Sequence, residues 1–228
     1  MLTGSKSAII LAGGCSSRFG EDKALLLLAE KTLIERVHER LLDVVDEIVV
    51  SVSTEAQKRS YLQLLNDCLI VTENRFHGGP LAGLYTGLKT VSGNRVAVVG
   101  CDMPFISGNL LKLLFELCLG YDAAIPRWPS GYIEPLHSVY DSSSCLGATE
   151  KALATGRVDM RAMISHLRDV KYFPTETIQE LESDLTMFVN INTQSDLEKA
   201  GHILQSALAR ESSNNHYGSM PDPAQKLP

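Results

Sequence analysis

The chain has 228 residues, enough for one medium-sized α/β domain with a full core and too few for two large ones. Apolar residues make up 44% and charged residues 21%, and the net charge of −6 lacks the basic excess of a nucleic-acid binder, so small-molecule partners are favoured. No apolar run approaches the ~20 residues that cross a bilayer, and MLTGSKSAIILAGG lacks the h-region and cleavage site of a secretory signal, which predicts a cytoplasmic protein without membrane attachment.

In chain order, SAIILA (7–12) reads as a first strand. Thr32 with Glu35 forms a capping box, and Leu33, Val37, Leu41 and Leu42 make one apolar stripe, which predicts a helix. EIVVSVS (47–53) is a second strand, followed by a helix over Glu55 to Leu65 and a third strand, LIVTE (69–73). Pro80, after Gly79, opens a helix through Leu84, Leu88 and Val91. RVAVVG (95–100) is a strand, Asn109 to Leu119 a helix ending before Gly120, and AAIPR (123–127) a further strand. GYIEPLHSVY (131–140) reads as an edge or bulged strand because of its proline. Helices near 142–154 and 159–168, a late strand MFVNINT (187–193) and a closing helix from about Ser195 complete one domain over residues 1–205. The polar, proline-bearing end, 211–228, reads as a disordered tail. Alternation of β-branched strands with helices predicts right-handed βαβ units: an α/β, three-layer, doubly wound fold with a mostly parallel central sheet and helices on both faces.

The chemistry begins where the first strand ends. Gly13 and Gly14 allow a sharp turn and close backbone approach to a ligand, and a phosphate is the natural occupant. Neither Gly-x-Gly-x-x-Gly nor the P-loop spacing is present. Five cysteines (15, 68, 101, 118 and 145) include no Cys-x-x-Cys pair, which predicts reduced, mostly buried thiols, and no base can be assigned to make Cys15 a nucleophile. Asp102 follows the apolar run 95–100, so it lies at the carboxyl end of a central strand, where open α/β sheets bind ligands, and its hard carboxylate suits Mg²⁺. GGPLAG (78–83) starts a helix whose free N–H groups favour anions or nucleobase oxygens.

From Leu11 to Leu25 the chain reads LAGGCSSRFGEDKAL, and GPLAGLYTGL (79–88), VVGCDMPFIS (98–107), EPLHSVY (134–140) and FVNINTQSDL (188–197) follow in order. In these segments it resembles the molybdenum cofactor guanylyltransferases, within the nucleotide-diphospho-sugar transferase-like superfamily. The resemblance spans roughly residues 7 to 200 and implies transfer of GMP from GTP to the terminal phosphate of molybdopterin, with release of pyrophosphate. It implies a nucleotide-binding part over about 7–107 and an acceptor-binding part over about 108–200. Mg²⁺ is the implied cofactor, with transient contact to molybdopterin-handling proteins and recipient molybdoenzymes.

Attack on the α-phosphorus builds negative charge on the transferring group and the leaving pyrophosphate, and Arg18 and Lys23 are the cations to meet it. The resemblance assigns backbone contacts with guanine and ribose to Leu11, Ala12 and Gly13, places Gly79, Pro80 and Leu81 along the nucleoside, and gives the metal to Asp102. Gly14 and Gly20 shape the loop. Where relatives carry an aspartate ahead of GPLAG, this chain offers Asn74, with Glu73 as the alternative; where they carry an asparagine after the second strand it has Ser51 and Ser53. On the acceptor side Arg157, Arg161, Asn190 and Asn192 suit a phosphate-bearing pterin, and Glu134 and His137 could pair near the site. Two enzymatic alternatives share the chemistry, a molybdopterin cytidylyltransferase and a sugar-phosphate nucleotidyltransferase. An inactive nucleotide-binding regulator would be expected to have lost Arg18, Lys23 or Asp102, all of which are present.

Overall fold

The computed structural model describes residues 5–13, 22–73, 79–182 and 184–216. In chain order the elements are β1 (Lys6–Leu11), β2 (Leu27–Leu28), β3 (Lys31–Thr32), α1 (Leu33–Leu42), β4 (Glu47–Val52), α2 (Glu55–Tyr61), β5 (Leu69–Thr72), α3 (Pro80–Leu88) and β6 (Arg95–Gly100). They continue with α4 (Gly108–Leu117), β7 (Ala123–Arg127), β8 (His137–Asp141), α5 (Ser142–Ala154), α6 (Met160–Ile164), β9 (Val170–Pro174), α7 (Thr175–Leu181) and α8 (Gln194–His216).

The described residues form a seven-stranded sheet in the order β5-β4-β1-β6-β8-β7-β9, and β2 pairs with β3 in a small ribbon. Neighbouring strands are parallel except at β8, which runs antiparallel to both β6 and β7. The mostly parallel, doubly wound architecture is therefore as expected. Alternate residues explain the three layers: Ala8, Ile10, Val50, Val52, Ala97 and Val99 face one core with α1 and α4. Ile9, Val49, Val96 and Val98 face the other with α3, α5 and α6. Strands buried on both faces have no polar side to alternate with, which is why they read as continuous apolar runs.

The predicted caps are in place. Thr32 Oγ1 accepts from the Glu35 N–H and Glu35 Oε2 accepts from the Thr32 N–H at 2.8 Å, a reciprocal capping box opening α1. Gly79, at φ 71°, supplies the left-handed residue before Pro80 at the start of α3.

Several boundaries differ from expectation. MFVNINT is not a strand: Thr186–Phe188 is a 3-10 turn, and the Ile191 N–H donates to Asp102 O at 2.9 Å, so the segment crosses the end of β6 instead of extending the sheet. Pro135 precedes β8, and β8 is an interior strand flanked by β6 and β7, so the proline neither bulges it nor marks an edge. The edge strand on that side of the sheet is β9, partly exposed along its length and followed by α7; its weak apolar pattern explains why neither was expected. Helices α2 and α6 end earlier than predicted, at Tyr61 and Ile164, while α8 continues to His216, so residues 211–216 of the expected tail are helical and 217–228 lie outside the described residues.

Candidate active site

Register brings the site together. Leu11 at the end of β1 lies opposite Ser51 on β4 and Gly100 on β6. The Ala12 N–H donates to Ser51 O at 2.8 Å and the Cys101 N–H to Leu11 O at 3.1 Å, extending both ladders one step into the loops. Strand order reverses between β1 and β6, since β4 and β5 lie to one side and the later strands to the other, and such a switch point opens a crevice at the carboxyl ends. A cleft of about 430 Å³ opens there, lined by Leu11, Gly13, Lys23, Glu73, Gly79 and Asp102 among others. A Cβ on Gly13 would lie 2.7 Å from Ser53 Oγ and 3.0 Å from Glu73 Oε1, so only glycine lets this backbone come so close to the cleft wall. Ser53 Oγ hydrogen bonds both Gly13 O and Glu73 Oε1, tying the loop after β1 to the residue after β5.

Lys23 opens a 3-10 turn, Lys23–Leu25, whose N-cap Asp22 accepts from the Ala24 N–H at 3.1 Å. The Asp22 carboxylate is held from the other side by the Tyr61 hydroxyl, at 2.9 and 3.0 Å, and by Gln57 Nε2 at 3.1 Å. Two side chains of α2 thus fix the far end of the opening loop and with it the base of Lys23. From there Lys23 Nζ reaches Asp102 Oδ2 at 2.6 Å and Asn192 Oδ1 at 2.8 Å, with the lysine and aspartate side chains only 14% and 23% exposed. A cation, a carboxylate and an amide from three distant parts of the chain converge on one point of the cleft.

A family model described as the MobA-like NTP transferase domain matches residues 8–170. The chain belongs to this family. A relative from Methanosarcina mazei named probable molybdenum cofactor guanylyltransferase is 41% identical over 205 residues, 86% of this chain and 91% of the relative. Molybdenum cofactor guanylyltransferase from Desulfosudis oleivorans is 32% identical over 196 residues, 85% of this chain and 93% of the relative. The crystal structure of molybdopterin-guanine dinucleotide biosynthesis protein A from Archaeoglobus fulgidus superposes with a TM-score of 0.76 at 28% identity, covering 88% of this chain and 99% of that one.

In this MobA-like chain Leu11, Gly13, Lys23, Gly79, Pro80 and Asp102 all line the cleft. Ala12 lies beside it with a buried side chain, and its carbonyl faces Gln57 Nε2 at 3.5 Å. Leu81 is fully buried in the core and its N–H is taken by Val158 O at 3.3 Å, so this residue shapes the start of α3 from behind. Gly14, Cys15, Arg18, Gly20 and Asn74 lie outside the described residues. Of the two residues offered ahead of GPLAG, Glu73 is the one seen in the cleft. Ser51 Oγ is buried with no hydrogen-bond partner among the described residues.

The acceptor-side residues of this MobA-like chain divide. Asn192 reaches the site through Lys23, whereas Asn190 Nδ2 turns back to Phe188 O at 3.2 Å. Arg157 is exposed and paired with Asp159 at 3.0 Å, and Arg161 lies over the Tyr132 ring at 5.1 Å. The Glu134 and His137 side chains do not pair: Glu134 Oε1 takes the Trp128 indole N–H at 2.7 Å, and its carboxyl is raised by burial against that hydrogen bond. His137 is fully buried and stacks edge-on with Phe188 at 5.4 Å; burial pushes its imidazole down to about 4, although the backbone of Met187 and Ser107 faces it in the sense that favours charge. Cys101 lines the cleft, but burial first and the Asp102 charge second hold its thiol far above the reactive range. Gln57, Tyr61 and Leu136 were not marked by any local pattern and are brought to the site only when the strands are assembled, whereas Ser53, marked by its place after the second strand, does hydrogen bond at the cleft. A larger groove of about 850 Å³, lined by Arg40, Lys112, Glu182 and residues of α8, shares no lining residue with the cleft and gathers charges of both signs without a convergent cluster.

Proposed function

We propose that this protein transfers GMP from GTP to the terminal phosphate of molybdopterin, releasing pyrophosphate and forming the guanine dinucleotide cofactor. The observation that carries this reading is the meeting of Lys23 and Asp102 at the mouth of the β1–β6 crevice, beside Glu73. The relatives named molybdenum cofactor guanylyltransferase support the choice of GTP and molybdopterin. The nucleophile, a phosphate oxygen, is anionic near neutral pH and needs no base, so the protein's task is to place it and to neutralise the pyrophosphate that leaves. Lys23 and Arg18 are assigned to the leaving phosphates.

Nucleotidyltransferases typically use a divalent metal, and we assign Mg²⁺ to Asp102. Among the described residues no three His, Cys, Asp or Glu side chains cluster as a resident metal site. A single hard carboxylate at the cleft fits an ion that arrives on the triphosphate and takes most of its ligands from phosphate and water. When bound, the ion supplies Lewis-acid stabilisation of phosphoryl charge. Asp102 Oδ2 holds Lys23, and Oδ1 has no hydrogen bond among the described residues, so one carboxylate can serve both cations.

The base is assigned to Glu73. A carboxylate only accepts, and guanine alone of the common bases presents two adjacent donors, N1–H and the 2-amino group, to one such group. This favours GTP over the cytidylyl alternative. The acceptor is assigned to the side of Asn190, Asn192 and Arg157, within a single domain whose first part holds the nucleotide. We place the reaction in the cytoplasm, with transient contacts to proteins that deliver molybdopterin and to the molybdoenzymes that receive the product; among the described residues no helix is long and apolar enough to cross a membrane.

Pyrophosphate release should be measured with GTP, CTP and ATP in the presence of molybdopterin and Mg²⁺. Turnover with GTP is expected, and turnover confined to CTP overturns the nucleotide assignment. Asp102→Asn is expected to lower magnesium-dependent turnover by about a hundredfold or more, the scale of losing a principal stabiliser of transition-state charge; retained activity would refute the metal assignment.

A further inference from the structure

An ammonium group has three N–H donors and no acceptor. Among the described residues two of those of Lys23 are used, one by Asp102 Oδ2 and one by Asn192 Oδ1. Because the nitrogen is tetrahedral, fixing two N–H directions fixes the third, and Lys23 lines the cleft, where among the described residues nothing takes that third donor. Asp102 alone would leave the ammonium free to swing about a single bond.

Asn192 is itself held in place. The neighbouring Ile191 is fully buried in the small core under α8, and its N–H donates to Asp102 O at 2.9 Å. On the other side the Asn192 and Thr193 N–H groups both donate to Asp196 Oδ2, at 3.0 and 2.9 Å, in the first turn of α8. The asparagine is thus clamped between the main chain of Asp102 and the start of α8. Its amide oxygen stands at a set distance from the carboxylate that shares the lysine.

We infer that Asn192 is a positioning residue for Lys23: it aims the third ammonium N–H at the triphosphate, so a residue of the acceptor part of the chain governs binding at the donor site. The inference rests on the assignment of GTP to the cleft. The residue type fits the role. A second carboxylate at 192 would neutralise the lysine charge that the phosphates need, whereas an amide oxygen orients the ammonium and leaves its charge intact.

The test is binding of GTP and of GMP to the full chain by titration calorimetry without any acceptor, with Mg²⁺ and again with the metal chelated. A contact made by Asn192 only to the acceptor would leave both affinities unchanged. As a positioning residue, Asn192→Ala weakens GTP by about tenfold, the scale of one charged hydrogen bond, and GMP by less than about twofold, because GMP lacks the phosphates that Lys23 meets. Asn192→Asp weakens GTP as well, although it keeps an oxygen in place. Unchanged GTP affinity in Asn192→Ala, or an equal loss for GTP and GMP, overturns the inference. Failure of the wild-type chain to bind GTP would instead overturn the function on which it rests. Because the Asn192 side chain is exposed and the cap to Asp196 is made by its backbone, the variants keep the core and the start of α8.

Discussion

Glu73, the residue we propose to read the base, stands at the wall of the cleft with one oxygen held by Ser53. Its carboxylate offers two acceptors, and removing its charge makes one end of the group a donor that faces the guanine N–H groups. Glu73→Gln is therefore expected to weaken GTP by about tenfold, the scale of a charged hydrogen bond, and to erase most of the preference over ATP in a competition experiment. An unaltered preference would move base reading to another residue. The same residue scale shows why local motifs are legible: Lys23 and Asp102 each sit in a short run whose chemistry can be read without the fold. Gln57 and Tyr61 cannot be found that way. Tyr61 is fully buried and reads as core, and only its hydroxyl on Asp22, 39 positions away, reveals that it supports the loop carrying Lys23.

At the scale of elements, α1 is the segment most completely written in the sequence, because a capping box and an apolar stripe are both short-range signals. Thr32→Ala removes the cap and is expected to cost about 1 kcal/mol in chemical denaturation. The Glu35 carboxyl is held below its ordinary value of 4.5 chiefly by the hydrogen bond with Thr32. A lowered carboxylate stabilises the fold above its unfolded pKa and loses that contribution as pH falls through the folded one. Stability of the wild type should thus decline below about pH 4.5, and Thr32→Ala should make that decline shallower. The segment 187–193 shows the opposite case. Its alternating pattern suits a strand, but Ile191 meets the end of β6 through Asp102 O and no sheet edge is left there to join, so tertiary contact overrides propensity.

For the whole molecule, the fully buried His137 ties distant segments together. His137 enters the sheet opposite Val99 on β6 and packs against Phe188 in the turn that leads to Asn192. Its folded pKa of about 4, depressed by burial from 6.5, means that the unfolded chain binds the proton more readily. Stability is fully present above about pH 6.5 and falls as pH drops toward 4. Melts across that range should show the loss, and His137→Phe should flatten it; His38, also lowered by burial, leaves part of the slope. Equal slopes in the two proteins would place the proton uptake elsewhere.

By itself the sequence determined the βαβ alternation, the caps of the early helices, the loop that carries Lys23 and the strand end that carries Asp102, because each depends on neighbours a few residues apart. Which strands adjoin, which face of the sheet each helix covers, and the reach of Lys23 to Asn192 across 169 positions were decided only by the tertiary structure. A contact of that span is specified by strand order and by the burial of Ile191 under α8, quantities that belong to the packed whole and leave no periodic trace along the chain.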